Sequence, residues 1–381
     1  MSPPRRSLSS TVGLELTTER SSVIVSADSL GCVYPHRPIA TERIIAHASG
    51  SSLRIAVARP RVSPALDPAS LHDRITRTHL GGYCFFHSLN STNLVLGLSA
   101  VQERSRSHTQ TGARGWRLSE ARPVLGVVCI GKERGRPVFE SRREPTHCVT
   151  LITLQQNART ERYIMDVGFG RKGPIGLVPL PISEEHDAKG QVIWDDSLRG
   201  EAWRVRRPRK GELPGPAEGL EAKWMECHPL TDDEGRRNYV MEHRLFALGE
   251  DPSEDDNVDE DEDGDEAWET LYAFNTARHD DLETFQTLSG HVFEGAKGCT
   301  TKFKDHLTIS RTYDLERGPE FPDGVYTGEE ARSMGRLALT DMVLSTFLTT
   351  ETGKGKKEII KEYQDEAERK QDLERLFGLK V

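Results

Sequence analysis

The sequence predicts an α+β fold, with one helix ahead of a β-rich centre, a mixed region after it and a helical tail. Three observations carry that reading. LNSTNLVLGLSAVQE, from Leu89 to Glu103, has the length and apolar spacing of a helix. VLGVVCIG, HCVTLITL and RYIMDVGF, beginning at Val124, His147 and Arg162, are short β-branched runs that read as strands. Near the end Ile359, Tyr363 and Ala367, then Leu373, Leu376 and Phe377, recur at helix spacing after the breaker TGKGKK at 352–357.

The rest of the chain is less regular. Residues 1–77 form an N-terminal region in which neither the helix nor the strand period lasts beyond pieces such as SSVIVSA and LRIAVA. Residues 78–230 hold the helix and the β-rich centre, with further strands expected around Trp203 and Trp224. Residues 231–381 hold the mixed segments LETFQTLSGHVF and DHLTISRTYDL and the tail. The chain of 381 residues suffices for two or three domains, while 35% apolar and 29% charged residues imply long solvated segments.

The net charge of −9 is local. Residues 250–266 carry twelve acids and no base, leaving +3 on the remainder. Such a run repels itself and reads as a solvated, disordered insertion. A calcium loop beginning at Asp259 fails because Thr270 stands where a bidentate Glu is needed. Six cysteines without a CxxC pair argue against a disulfide framework or a zinc site, and for a reducing, cytoplasmic compartment. No apolar run approaches the roughly 20 residues of a membrane span, and MSPPRRSLSSTVGLEL lacks a secretory apolar core; its Arg and Ser content only faintly resembles a transit peptide. Neither a membrane nor a nucleic acid is an expected partner.

The stretch GGYCFF sets Cys84 between the flexible pair Gly81-Gly82 and the apolar pair Phe85-Phe86. A cysteine in apolar company is ordinarily a small core residue; a nucleophilic one needs an imidazole within reach and a third group to orient it. His147 and Asp166 stand on neighbouring strand candidates. A hairpin with Gln155 to Ala158 as a four-residue connection sets Asp166 directly opposite His147, on one face and close enough for a carboxylate to meet an imidazole. The alternative is that His147 merely starts a strand and Asp166 merely ends one. Beyond Asp166, Gly168, Gly170 and Gly173 spell G-x-G-x-x-G, but Pro174 and PIGLVPLP follow where a dinucleotide site needs a helix. Those glycines, with Arg171 and Lys172, suit the approach of an anionic ligand instead.

These residues resemble the arylamine N-acetyltransferase family, whose Cys-His-Asp enzymes carry GGxC, a later strand beginning with His, and a DVGFG segment. PTHCVTLITL with RYIMDVGFGRKGPIGLVPLP is the strongest match and GGYC the next; GARGW at 112–116, DLETFQTLSGHVF at 281–293 and LERLFGL at 373–379 match more loosely. The resemblance spans roughly residues 78–381. It implies an N-terminal helical domain, a central β-barrel and a C-terminal α/β lid around a papain-like cysteine-enzyme core. It also implies ping-pong acyl transfer: Cys84 would accept an acetyl group from acetyl-CoA, or a malonyl group from malonyl-CoA, and an arylamine, hydrazine or N-hydroxyarylamine would take it. Acyl-CoA and the small amine are then substrates, with no tightly bound cofactor and no metal. Thr146 and Gly170 would lie near the coenzyme A path, and Phe169 and Arg171 in the acceptor pocket.

The departures from the family pattern are specific. Leu80 replaces the Arg before GGxC, Phe86 a Glu or Gln, and Ser88 an Asn, so three polar supports of the cysteine loop are expected to be missing. The family's N-terminal helical pattern is not recognisable in residues 1–77. Two other readings therefore stand beside the transferase: a hydrolase or transglutaminase using the same triad, and a non-catalytic or weakly active paralogue that keeps the fold and binds coenzyme A.

Overall fold

The computed structural model describes residues 65–74, 78, 82–108, 117–133, 136–140, 145–156, 159–170, 172–174, 176–181, 191–194, 201–209, 212–213, 238–245, 268–276, 281–294, 308–314, 334–349, 355–377 and 379. In chain order the elements are α1 (Pro68–His72), α2 (Cys84–His108), β1 (Arg117–Glu133), β2 (Arg136–Phe139), β3 (His147–Gln156), β4 (Arg159–Met165), β5 (Leu177–Pro179), β6 (Gln191–Trp194) and β7 (Glu201–Arg206). They continue with β8 (Asn238–Leu245), β9 (Glu269–Asn275), α3 (Leu282–Glu294), β10 (Thr308–Asp314), β11 (Met334–Thr340), β12 (Val343–Thr349), β13 (Gly355–Glu362) and α4 (Glu366–Phe377). The N-terminal region before residue 65, Leu80, Gly81, Arg171, Trp224 and the acidic run at 250–266 lie outside the described residues.

Nine strands form one antiparallel sheet, in the order β5-β4-β3-β1-β9-β8-β7-β6, with β2 paired to β1. Its terminal strand β5 packs against β6 and β7, so the sheet curls into a nearly closed barrel. The α+β expectation thus holds, with the β-rich centre in its expected place. The barrel draws on both sides of residue 230, because β8 and β9 are two of its central strands. That boundary therefore falls inside the sheet. A second sheet, β10-β11-β12-β13, follows α3.

The tail needs a correction. Residues 355–362 form the edge strand β13, and the helix starts only at Glu366. Ile359 and Ile360 are accordingly exposed, not one stripe with Tyr363. The stop signal lies further on: Asp365 accepts from the Glu368 backbone N–H at 2.8 Å, which caps α4 at its true beginning. Before that cap, adjacent β-branched isoleucines favour the ladder to β12, where Ile359 pairs with Ser345. Lys356, Lys357 and Lys361 stud this edge, and charge of that kind discourages pairing with another strand. Leu373, Leu376 and Phe377 of α4 do pack as expected, against Ile309, Leu337, Leu339 and Leu344 of the second sheet.

The β3–β4 hairpin is also corrected in register. Gln156 pairs with Arg159 and Thr150 with Met165, so the connection has two residues where four were expected. A slip of two positions preserves which face each side chain occupies, because the strand period is two. It moves Asp166 off the end of the ladder, so it is not the residue directly opposite His147.

Helix α2 lies on β1 and β3 and begins at Cys84 itself, not after a cysteine loop. Phe85, Phe86, Leu89 and Val95 are buried on its inner side, and Ser88 and Thr92 permit close approach to the sheet. The Ser88 hydroxyl donates to the Cys148 carbonyl at 2.5 Å, and Thr92 meets Thr150 at 3.2 Å. α3 closes the other side through Phe285, Leu288, Val292 and Phe293. Between β7 and β8, on the face opposite Trp203, Val205 and Met241, Glu242 of β8 accepts from both Arg204 and Arg206 of β7 at 2.6 Å, and Glu212 takes Arg206 again at 2.6 Å. All four side chains are almost entirely buried.

Glu242 is therefore the shared counter-charge of two buried guanidinium groups. Glu242→Ala should destabilise the fold by about 3–5 kcal/mol, the range for removing one member of a buried ion pair. Denaturant unfolding checks this. A loss within about 0.5 kcal/mol, typical of a surface substitution, would show the cluster to be redundant.

Candidate active site

Three backbone features bring Cys84, His147 and Asp166 together. Cys84 is the first residue of α2, in the turn where a helix's N–H groups have no partner within the helix. Gly82, just before it, has no room for a side chain, since a Cβ there would stand 2.5 Å from the Cβ of Phe86. This explains part of the GGYCFF stretch: glycine lets the chain fold tightly against its own following turn. Phe85 and Phe86 are core residues, with Phe86 edge-on to Tyr83 at 4.8 Å, and the Tyr83 hydroxyl meets the Ser289 carbonyl at 2.9 Å.

His147 is the first residue of β3, paired to Gly126 of β1. Gly126 is also bare of necessity, because a Cβ there would be 2.7 Å from the Ala273 carbonyl oxygen of β9. The His147 Nε2 meets Asp166 Oδ2 at 2.9 Å, and both residues are 2% exposed. The pair is diagonal across the end of the hairpin, which the two-residue slip leaves on the same face. The other carboxylate oxygen, Oδ1, accepts from the Gly168 N–H at 3.0 Å. Asp166 is thus held at both oxygens.

With Nε2 committed to Asp166, Nδ1 is the ring nitrogen left for Cys84, whose Sγ lies 3.9 Å from the Thr146 carbonyl oxygen at the start of β3 and whose charge acts on the ring. Burial acts to lower the His147 pKa, but Asp166 and then Cys84 outweigh it and push it up to about 10. The carboxylate beside it thus favours the charged form of the ring. Cys148, the next residue in β3, is buried beside Cys84, and burial pushes its thiol well up. Of the two neighbouring thiols, Cys84 is the one served by the histidine.

The glycine segment after Asp166 completes the enclosure. A Cβ on Gly168 would lie 2.5 Å from the Cys84 Cα, so the two backbones touch. Phe169 sets its ring edge-on to His147 at 5.2 Å, and Tyr272 of β9 covers the same imidazole at 4.7 Å. Gly170 has a φ of +83°, which a non-glycine residue rarely adopts. Thr146 is 3% exposed, and its hydroxyl accepts from the Val128 N–H at 3.1 Å, holding β1 to the start of β3. The structure thus brings Thr146 and Phe169 against the three central residues, with Gly170 next in the chain after Phe169, while Arg171 lies outside the described residues.

Of the expected losses of polar support, the one at Phe86 holds and the one at Ser88 does not. Phe86 replaces polar anchoring with full burial, and Arg74 lies over its ring at 5.6 Å. Ser88 retains a polar support through its bond to Cys148. The sequence reading missed Tyr272, whose strand LYAFN carries no mark beyond an aromatic at a buried position. It also passed over Trp203 and Arg336, which hold carbonyls of the glycine segment, and Glu201, which pairs with Arg336.

No family model matches the chain, and no curated protein matches it. Solved structures do. The arylamine N-acetyltransferase from Mycobacterium abscessus is 17% identical, with a TM-score of 0.52 over 95% of this chain and 94% of that one. The arylamine N-acetyltransferase from Salmonella typhimurium is 16% identical, with a TM-score of 0.52 over 94% and 92%. That of Mycobacterium tuberculosis is 17% identical, with a TM-score of 0.51 over 90% of each chain. The chain has the α+β fold of the arylamine N-acetyltransferases. No helix among the described residues is long and apolar enough to cross a membrane.

Gly168→Ala should separate Cys84 from His147, because the new methyl group meets backbone that cannot rotate away. Alkylation of Cys84 by iodoacetamide at pH 7 should slow about 100-fold, the scale of an ångström-sized misplacement. An unchanged rate would show the contact to be slack. The raised His147 pKa gives a stability signature of its own. A folded-state pKa above the ordinary 6.5 contributes stability that is complete below pH 6.5 and is lost as pH rises through about 10. Asp166→Asn removes the largest raising influence, so this decline should flatten. Unfolding measured at pH 7 and pH 9.5 in both proteins decides it, and parallel declines would refute the assignment.

Proposed function

We propose that this protein belongs to the arylamine N-acetyltransferase family and moves an acetyl group from acetyl-CoA through Cys84 to an aromatic amine, hydrazine or N-hydroxyarylamine. The observation that carries the proposal is the buried Cys84–His147–Asp166 constellation within that fold. Neither half would suffice alone, since a fold at this level of identity hosts more than one chemistry.

The geometry supports these roles. The Cys84 thiolate, paired with the His147 imidazolium, attacks the thioester carbonyl of acetyl-CoA; its carbon becomes tetrahedral and its oxygen takes the negative charge. The N-terminal end of α2 favours that charge, with the Cys84 backbone N–H as the candidate donor. Collapse of the intermediate expels the coenzyme A sulfur, which takes the His147 proton and leaves acetyl on Cys84. The amine then attacks the acetyl-cysteine and gives a proton to His147, and the thiolate is released. Asp166 holds the ring and its charge throughout. Thr146 and Gly170 flank the coenzyme path in this reading, and Phe169 and Arg171 the acceptor pocket. A cytoplasmic enzyme of xenobiotic amines is the matching role.

Incubation with acetyl-CoA in the absence of amine, followed by intact mass and peptide mapping, tests the reading. One acetyl group on Cys84, absent in Cys84→Ser and discharged by an arylamine, is expected. Malonyl-CoA in parallel identifies the donor. Discharge by water alone at an equal rate would make the protein a hydrolase, and a folded protein that takes no label would make it the non-catalytic paralogue.

A further inference from the structure

The glycine segment behind Cys84 is gripped from a part of the chain far from it in sequence. Arg336 belongs to β11 of the second sheet, where it pairs with Thr312 and Phe347. Its side chain leaves that sheet, is 4% exposed, and donates through Nη2 to the Gly173 carbonyl at 3.0 Å and to Glu201 Oε2 at 2.9 Å. Its Nη1 reaches the Gly170 carbonyl at 3.5 Å. Glu201 opens β7 of the barrel, and His243 of β8 lies 3.7 Å from the same carboxylate oxygen. Burial acts to raise the Glu201 carboxyl, but Arg336 and His243 hold it below the usual range. Trp203, two residues along β7, lies under the Arg336 guanidinium at 5.6 Å and donates its indole N–H to the Lys172 carbonyl at 2.9 Å. Lys172 is itself ion-paired to Glu269.

Three carbonyls of one short segment, those of Gly170, Lys172 and Gly173, are therefore held by Arg336 and Trp203. At its other end the segment presses Gly168 on the Cys84 Cα and Phe169 on His147. We propose that Arg336 is a positioning residue for Cys84: from the second sheet, with Glu201 as its counter-charge, it fixes the backbone that holds Cys84 and His147 in register. This rests on the reading of Cys84 as the nucleophile. Arginine suits the task because a planar, permanently charged fork serves a carboxylate and two carbonyls at once, whereas the lysine ammonium is a single point. Motion of the second sheet away from the barrel then loosens the cysteine.

The test reads thiol reactivity, which needs no acyl donor and so separates this proposal from the acetyltransferase reading. The rate of Cys84 alkylation by iodoacetamide is followed against pH in the full-length wild type, Arg336→Met, Arg336→Lys and Trp203→Phe, with Cys84→Ser as background. The titratable groups facing the Cys84–His147 pair are Asp166, Cys148 and Tyr272, none of them altered. In Arg336→Met alkylation at pH 7 should fall about tenfold and the midpoint of the profile should rise, as expected when the imidazolium no longer sits squarely on the thiolate. Arg336→Lys should recover part of the loss. Trp203→Phe removes a single hydrogen bond, should fold, and should shift the profile in the same direction by about threefold. A purely structural role for Arg336 would lower the thermal midpoint while leaving the alkylation profile of the folded protein at its wild-type position, and that result overturns the proposal. Should Arg336→Met not fold, an unshifted profile in Trp203→Phe and Arg336→Lys overturns it equally.

Discussion

Gly168 and Cys84 touch backbone to backbone, and the candidate site is arranged around that contact. Cys84 can lie there only because α2 starts at that residue, and Gly168 only because the hairpin has ended and the chain has turned. Once the two meet, Asp166 is two residues from the contact and within reach of the imidazole at the start of β3. The neighbouring bare positions, Gly82 against Phe86 and Gly126 against Ala273, extend the same constraint outward. Each marks where a helix or strand approaches more closely than a side chain allows.

The core of the site was legible in the sequence because its chemistry is concentrated in rare residue types. A cysteine between glycines and aromatics, a histidine opening a strand and an aspartate closing the next pointed to one another, and the hairpin between the last two is the sort of local pairing that numbering can test. The register was read two positions off because Gln155 and Gln156, polar and near a turn, look like loop yet complete the ladder with Thr160 and Arg159. The tail was misread for a related reason. The Ile359, Tyr363 and Ala367 spacing imitates a helix face, while the cap at Asp365 that fixes the real boundary comes after two of those three residues.

What could not be read were contacts made across great sequence separation. Trp203, Tyr272 and Arg336 lie on strands with no local signature of function, and their roles come from which strand neighbours which in the barrel and where the second sheet packs. The strand order places β9 beside β1 and β8, and this brings Tyr272 over His147. No composition or period encodes that adjacency. A buried arginine in a strand reads from sequence as an exposed one, because only the partner, here Glu201, distinguishes them.

The two-residue slip of the β3–β4 hairpin bears on how this architecture tolerates change in length. The connection at residues 157–158 lies at the end of the hairpin remote from His147 and Asp166. Adding or removing an even number of residues there slides one strand along the other and leaves every inward side chain inward. An odd change turns the whole of one strand inside out, sending Ile164 to solvent and Tyr163 to the core. Parity, more than length, is what this hairpin must conserve to keep its buried face buried.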